Sequence, residues 1–181
     1  MKGKGVIDEE LLVRSVTEAT SEVFSMMLDM TVEFAGFAGD AKGSDNGLIA
    51  LVGITGDWGG SGVFCCSPSL ASLISSRMLG TPPSEAKTAV DDEVLDVVAE
   101  ATNMMIGNIK NGLEEITGPM AISVPTVIHG RNFQFRNATG LRGVALSFLT
   151  EGEKFEVRIT LAPASEQVSR SRIPILGLAH M

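Results

Sequence analysis

This chain has little of what most often carries chemistry. Its only histidines, His129 and His180, lie far apart with no paired cysteines near them, so the spacing of a zinc site is missing. The two cysteines are adjacent, Cys65 and Cys66, inside an apolar stretch. Neighbours on a strand point to opposite faces, so they read as buried filler rather than a disulfide or redox pair, and they suit a reducing cytoplasm. There is no GxxxxGK[ST] phosphate loop and no GxGxxG. A Ser-His-Asp triad has no GxSxG elbow to support it, and His129 sits beside a turn. Basic residues are also few, 14 Lys and Arg against 22 Asp and Glu, for a net charge of −8. That excess argues against nucleic acid or an anionic membrane as principal partner, although a local basic patch could still meet an acidic protein. Long apolar runs are absent too. The longest uncharged stretch, Trp58 to Ser76, is broken by Gly, Ser and Pro, and Asp8-Glu9-Glu10 stands where a signal peptide would need its apolar core. A soluble, cytoplasmic protein is expected.

What is present suffices for a packed fold. The chain has 181 residues, 44% hydrophobic and 20% charged, which favours one domain with an ordinary core. Asp8 to Asp29 reads as a helix, with Leu12, Val16, Ala19, Val23 and Met27 on one stripe. A strand is expected over Thr31–Phe37, then a turn-rich segment from Gly39 to Gly47. Strands over Leu48–Ile54 and Gly62–Cys66 are joined by the hairpin Gly56-Asp57-Trp58-Gly59-Gly60. Ser67-Pro68 opens a short helix that Gly80 closes. A long helix from about Val90 to Leu113 precedes strands at Ala121–Ile128, Gly143–Leu149 and Lys154–Leu161. The segment from Gly130 to Leu141 is ambiguous between strand and loop, and the residues from 164 to 181 have no evident place. Glu18-Ala19-Thr20-Ser21 recurs as Glu100-Ala101-Thr102-Asn103, an offset of 82 positions, so the two halves read as copies of one unit.

The long second helix is the informative segment. At about 100° per residue, Val94, Val97, Val98, Ala101, Met105 and Ile109 gather on one side. Asp96, Glu100, Asn103 and Gly107 form a line on the other, at spacings of four, three and four. An outward polar line is ordinarily just a solvated face. Here it includes a mid-helix Asn, a poor helix former, and a Gly that costs about 1 kcal/mol against Ala. A helix that gives up propensity on its exposed side suggests small and amide-bearing groups placed for an approaching partner.

Asp96, Glu100 and Asn103, with Pro125 in a strand 22 positions after Asn103, resemble the motif of the CheC/CheX/FliY phosphatases, and the segment from Val90 to Asn108 is most similar to the CheX branch. That family dephosphorylates the chemotaxis response regulator CheY. The resemblance runs from about Asp8 to Pro163 and implies a pseudo-symmetric α/β (α+β) domain over 6–163, followed by a tail. Its sheet would be mainly antiparallel, with two long helices and a short one packed on it. It further implies that Asn103 holds the attacking water in line with an aspartyl-phosphate, and that Glu100 pairs with the active-site lysine of the receiver. Asp96 and Gly107 would contact that partner. The chain itself would bind no cofactor, Mg2+ being held by the acidic residues of the phosphorylated receiver, and it would form a homodimer. Ser21 stands where the first helix would need an amide, so one active site per chain is expected. The alternative is a non-catalytic module of the same fold that binds receivers or flagellar-switch proteins.

Overall fold

Three helices begin on a side chain that takes up a free backbone N–H. In the computed structural model, which describes residues 7–39, 47–82, 89–131 and 141–166, these are α1 (Glu9–Leu28), α2 (Pro68–Leu79) and α3 (Asp92–Thr117). Asp8, Ser67 and Asp91 accept from the N–H groups of Leu11, Leu70 and Val94, and acidic residues in the first turns of α1 and α3 suit the positive end of the helix dipole. α3 continues past Gly107 and Gly112 to Thr117, four residues beyond the expected end. The buried Leu113 and Thr117 carry its inward stripe through. In α1 the inward stripe drifts from Val23 to Phe24 and Leu28, as 3.6 residues per turn requires, and leaves Met27 45% exposed.

The strands are β1 (Glu33–Phe37), β2 (Gly47–Gly56), β3 (Trp58–Cys66), β4 (Met120–Ile122), β5 (Thr126–Gly130), β6 (Arg142–Thr150) and β7 (Glu153–Pro163). They form one antiparallel sheet in the order β1-β6-β7-β3-β2, with β4 and β5 sharing the outer edge of β2. Reversing that order exchanges β1 with β4 and β5, β6 with β2, and β7 with β3. The sheet therefore carries the duplication that the sequence shows weakly. The helices carry it too. Leu12, Val16, Ala19, Thr20, Val23 and Phe24 are buried in α1, and 82 positions on, Val94, Val98, Ala101, Thr102, Met105 and Ile106 are buried in α3.

The core lies between the helices and the sheet. Phe155 of β7 is its centre, with the rings of Phe24, Phe148 and Phe64 at 4.7, 5.3 and 5.6 Å. α3 comes down on β3 at Gly62, where a Cβ would overlap the side chain of Ile106. That glycine sets how deeply the helix sits.

Two expected elements differ. The glycine-rich hairpin shrinks to a tight turn at Gly56 and Asp57, since Trp58 is buried and Gly59 and Gly60 belong to β3. Gly60 has no room for a side chain because a Cβ would overlap the Thr160 carbonyl oxygen. The expected strand Ala121–Ile128 is two strands, β4 and β5, split at Ser123-Val124-Pro125. Residues 40–46 of the turn-rich segment, 132–140 of the ambiguous one, and the tail beyond Glu166 lie outside the described residues. Cys65 and Cys66 are free thiols on β3. Burial, aided by the nearby Glu156 carboxylate, pushes the Cys65 thiol up to about 12, and burial raises Cys66 as well.

Candidate functional site

The outward face of α3 keeps the line read from the sequence. Asp96 and Glu100 are exposed, Asn103 and Gly107 are half-buried, and each lies one turn from the next. From Asp96 to Gly107 the line runs roughly 16 Å along the helix. The positions expected to face inward, from Val94 to Ile109, are all buried, joined by Thr102 and Ile106. Thr102 spends its hydroxyl on the Val98 carbonyl at 2.7 Å, so it takes no part in the outer face. Among the described residues, the side chains of Asp96, Glu100 and Asn103 have no hydrogen-bond or ion-pair partner. A carboxylate and a carboxamide one turn apart are thus free for groups that come from outside.

The first helix presents a different surface. Glu18 is exposed and Ser21 half-buried, the same burial as Glu100 and Asn103 at the equivalent places. Glu18 lines a cleft between α1 and α3 with Arg14, Glu22, Asn108 and Gly112. The Asn108 side chain donates to Glu22 across that cleft at 3.3 Å, so its amide is engaged by the fold.

The sheet edge lies beside α3, and sequence reasoning missed how it is held. Glu114 Oε1 accepts from Lys110 Nζ at 2.8 Å and from the Met120 N–H at 3.0 Å, while Lys110 also donates to the Met120 carbonyl at 3.2 Å. These bonds fasten the start of β4 to α3, and the lysine and backbone donors hold the Glu114 carboxyl below its ordinary value of 4.5. Ile122 then packs towards α3, its Cδ1 3.7 Å from where a Cβ on Gly107 would stand. That is ordinary van der Waals separation, so nothing among the described residues requires glycine at 107.

The strand break after Ile122 is a bulge. Ile54 pairs with Ile122 and Leu51 with Thr126, so two residues of β2 face three of the edge strand. Pro125 has no N–H to offer the ladder. Ser123 replaces the lost pairing, since its N–H donates to the Gly53 carbonyl and its hydroxyl accepts from the Gly53 N–H, both at 2.9 Å. Proline inside an otherwise regular strand was the available sign of this irregularity. The Lys110–Glu114 clamp had no such sign, because a pair four residues apart on a helix usually serves the helix alone.

Among the described residues, no three His, Cys, Asp or Glu side chains converge in a way that could hold a metal ion, and no helix is long and apolar enough to cross a membrane.

The chain is similar in sequence to the CheY-P phosphatase CheX of Thermotoga maritima, 26% identical over 114 residues that make up 63% of this chain and 71% of that protein. A CheC-like superfamily protein from Shewanella superposes with a TM-score of 0.72 at 21% identity, over 86% of this chain and 99% of the other. CheX in a CheX–CheY–BeF3–Mg2+ complex from Borrelia burgdorferi gives a TM-score of 0.64 at 24% identity, over 83% and 97%. The sheet order and the placement of the helices are therefore those of the CheC-like fold. The family described as chemotaxis phosphatase CheX matches residues 48–149, over half the chain and including all of α3 and the edge strands beside it, and the chain belongs to that family.

Proposed function

We propose that the outward line of α3 is the catalytic and docking face of a phosphatase that hydrolyses the aspartyl-phosphate of a CheY-like receiver domain and so ends a chemotaxis signal. The observation that carries the assignment of residues is that Glu100 and Asn103 stand one turn apart, outward and unpartnered, on the longest helix of the fold. The similarity to a protein named for this activity in Thermotoga maritima, and to CheX in a complex with CheY, supports the choice of partner.

The chemistry suits the residue types. Hydrolysis forms a bond from water oxygen to phosphorus and breaks the bond from phosphorus to the aspartyl oxygen, and a water proton ends on the released phosphate. The transition state is loose, so the catalyst has mainly to position the water and tolerate charge. The Asn103 carboxamide binds and orients water through its oxygen and N–H2 without repelling the phosphoryl group, as a carboxylate would. Glu100, one turn back, pairs with the receiver's active-site lysine and fixes the register of docking. Asp96 extends the acidic line by a further turn, and Gly107 leaves space for the partner at the other end. Magnesium, on this reading, is held by the receiver. The working unit is a single domain over 6–163 acting in the cytoplasm, as a homodimer with one active face per chain.

The test is release of phosphate from phosphorylated receivers. Asn103→Ala should lower turnover by roughly a hundredfold or more, the usual effect of removing one positioning group. It should not harm the fold, because the Asn103 side chain holds nothing among the described residues. Wild-type turnover by this variant would show that Asn103 does not orient the water. Receiver binding without phosphate release by the wild type would identify a binding module instead.

A further inference from the structure

We propose that the bulge Ser123-Val124-Pro125 is a second contact for the receiver, with Val124 as its apolar anchor and Ser123 as the residue that positions it; this rests on the reading of α3 as the docking face.

Val124 is 86% exposed, more than any other large hydrophobic residue described. A single exposed valine is common and by itself means nothing. This one is held in place. The Ser123 hydroxyl accepts from the Gly53 N–H and donates to the Val124 carbonyl at 3.0 Å, and Pro125 fixes the backbone on the other side. A bulge re-aims side chains out of the regular alternation of a strand. Here its effect is to present an apolar group at the sheet edge with its backbone already ordered. Such a group binds at low entropic cost, because little freedom is left to lose.

The position names the occupant. Two residues before Val124, Ile122 packs next to Gly107, the last member of the α3 line. The Lys110–Glu114–Met120 bonds lock this edge to the same helix. A domain seated on Asn103 and Gly107 meets the sheet edge next. The two contacts are also complementary in kind. Glu100 supplies charge, which steers and sets register, whereas an apolar anchor adds buried area that charge does not. The face lacks any other exposed apolar group on the α3 line itself, since its four members are acidic, amide or glycine.

The experiment measures phosphate release against receiver concentration for wild type, Val124→Asp, Val124→Ile, Ser123→Ala, Ser123→Thr and Asn103→Ala. Thermal melts of the same variants confirm folding. Val124→Asp should raise KM about tenfold, the weight of one buried side chain, and leave kcat within about twofold. Val124→Ile should keep the wild-type KM. Ser123→Ala should raise KM less, by about threefold, with Thr at the same position restoring it. An unchanged KM in Val124→Asp beside a loss of kcat in Asn103→Ala overturns the bulge contact and leaves the active face standing. Full activity of Asn103→Ala overturns the face itself, and the bulge contact with it.

Discussion

Gly107 is where the fold and the proposed function pull in opposite directions, and replacing it with alanine separates them. The residue lies in the interior of a 26-residue helix, where glycine costs about 1 kcal/mol relative to alanine. The nearest atom a new Cβ would meet is Ile122 Cδ1 at 3.7 Å, so no clash offsets the gain. Gly107→Ala should therefore stabilise the protein by about 1 kcal/mol, a rise in Tm of about 2–4 °C for a chain of this size. On the proposed docking face the same methyl group stands one turn from Asn103. A receiver forced outward by even about 1 Å misaligns the water, and displacements of that size cost about a hundredfold in rate. Gly112→Ala is the control. It lies on the same helix with nothing within 4 Å of its would-be Cβ, but not on the Asp96–Gly107 line. It should give a similar rise in Tm and wild-type turnover. Melting curves and phosphate release on the two variants decide the matter. Gly107→Ala with full activity, or equal losses from both, would refute the claim that a partner requires the glycine.

Glu18→Ala should leave turnover nearly unchanged while Glu100→Ala loses most of it, because on the proposed assignment only the helix with Asn103 engages a receiver; equal and severe losses would reveal a second working face on α1. Glu114→Gln tests the clamp through pH: the depressed carboxyl contributes stability that is fully present above about pH 4.5 and is lost as pH falls through its lower folded value. The Tm gap between wild type and this variant should thus be open at neutral pH and close in acid, and a gap that does not vary with pH would refute it. Gly62→Ala should destabilise by about 1–3 kcal/mol, since its methyl would overlap Ile106. Denaturant unfolding of Gly62→Ala, Ile106→Ala and the double variant should show coupling of about 1 kcal/mol, and strict additivity would mean that the two do not meet.

Much of the fold is written in local pattern. Ser67 as the cap of α2, and the inward stripes of α1 and α3, depend on neighbours within a few residues, so helix positions could be read directly. The outward line of Asp96, Glu100, Asn103 and Gly107 follows from the same periodicity, and the repeat of Glu18 as Glu100 pointed to the duplication. Strand pairing is different. That β3 and β7 meet at the centre, and that β4 and β5 share the edge of β2, depends on contacts between residues up to about a hundred positions apart, which no local spacing encodes. The same holds for the depth of α3, decided where Ile106 meets Gly62, and for the edge strand fastened to it by Lys110 and Glu114. Sequence alone determined which side chains face outward on the second long helix, because helical geometry is set by the nearest few residues. Tertiary structure alone decided what stands beside them, because a bulge at Ser123 and Val124 acquires its position only when two distant segments pair one residue out of step.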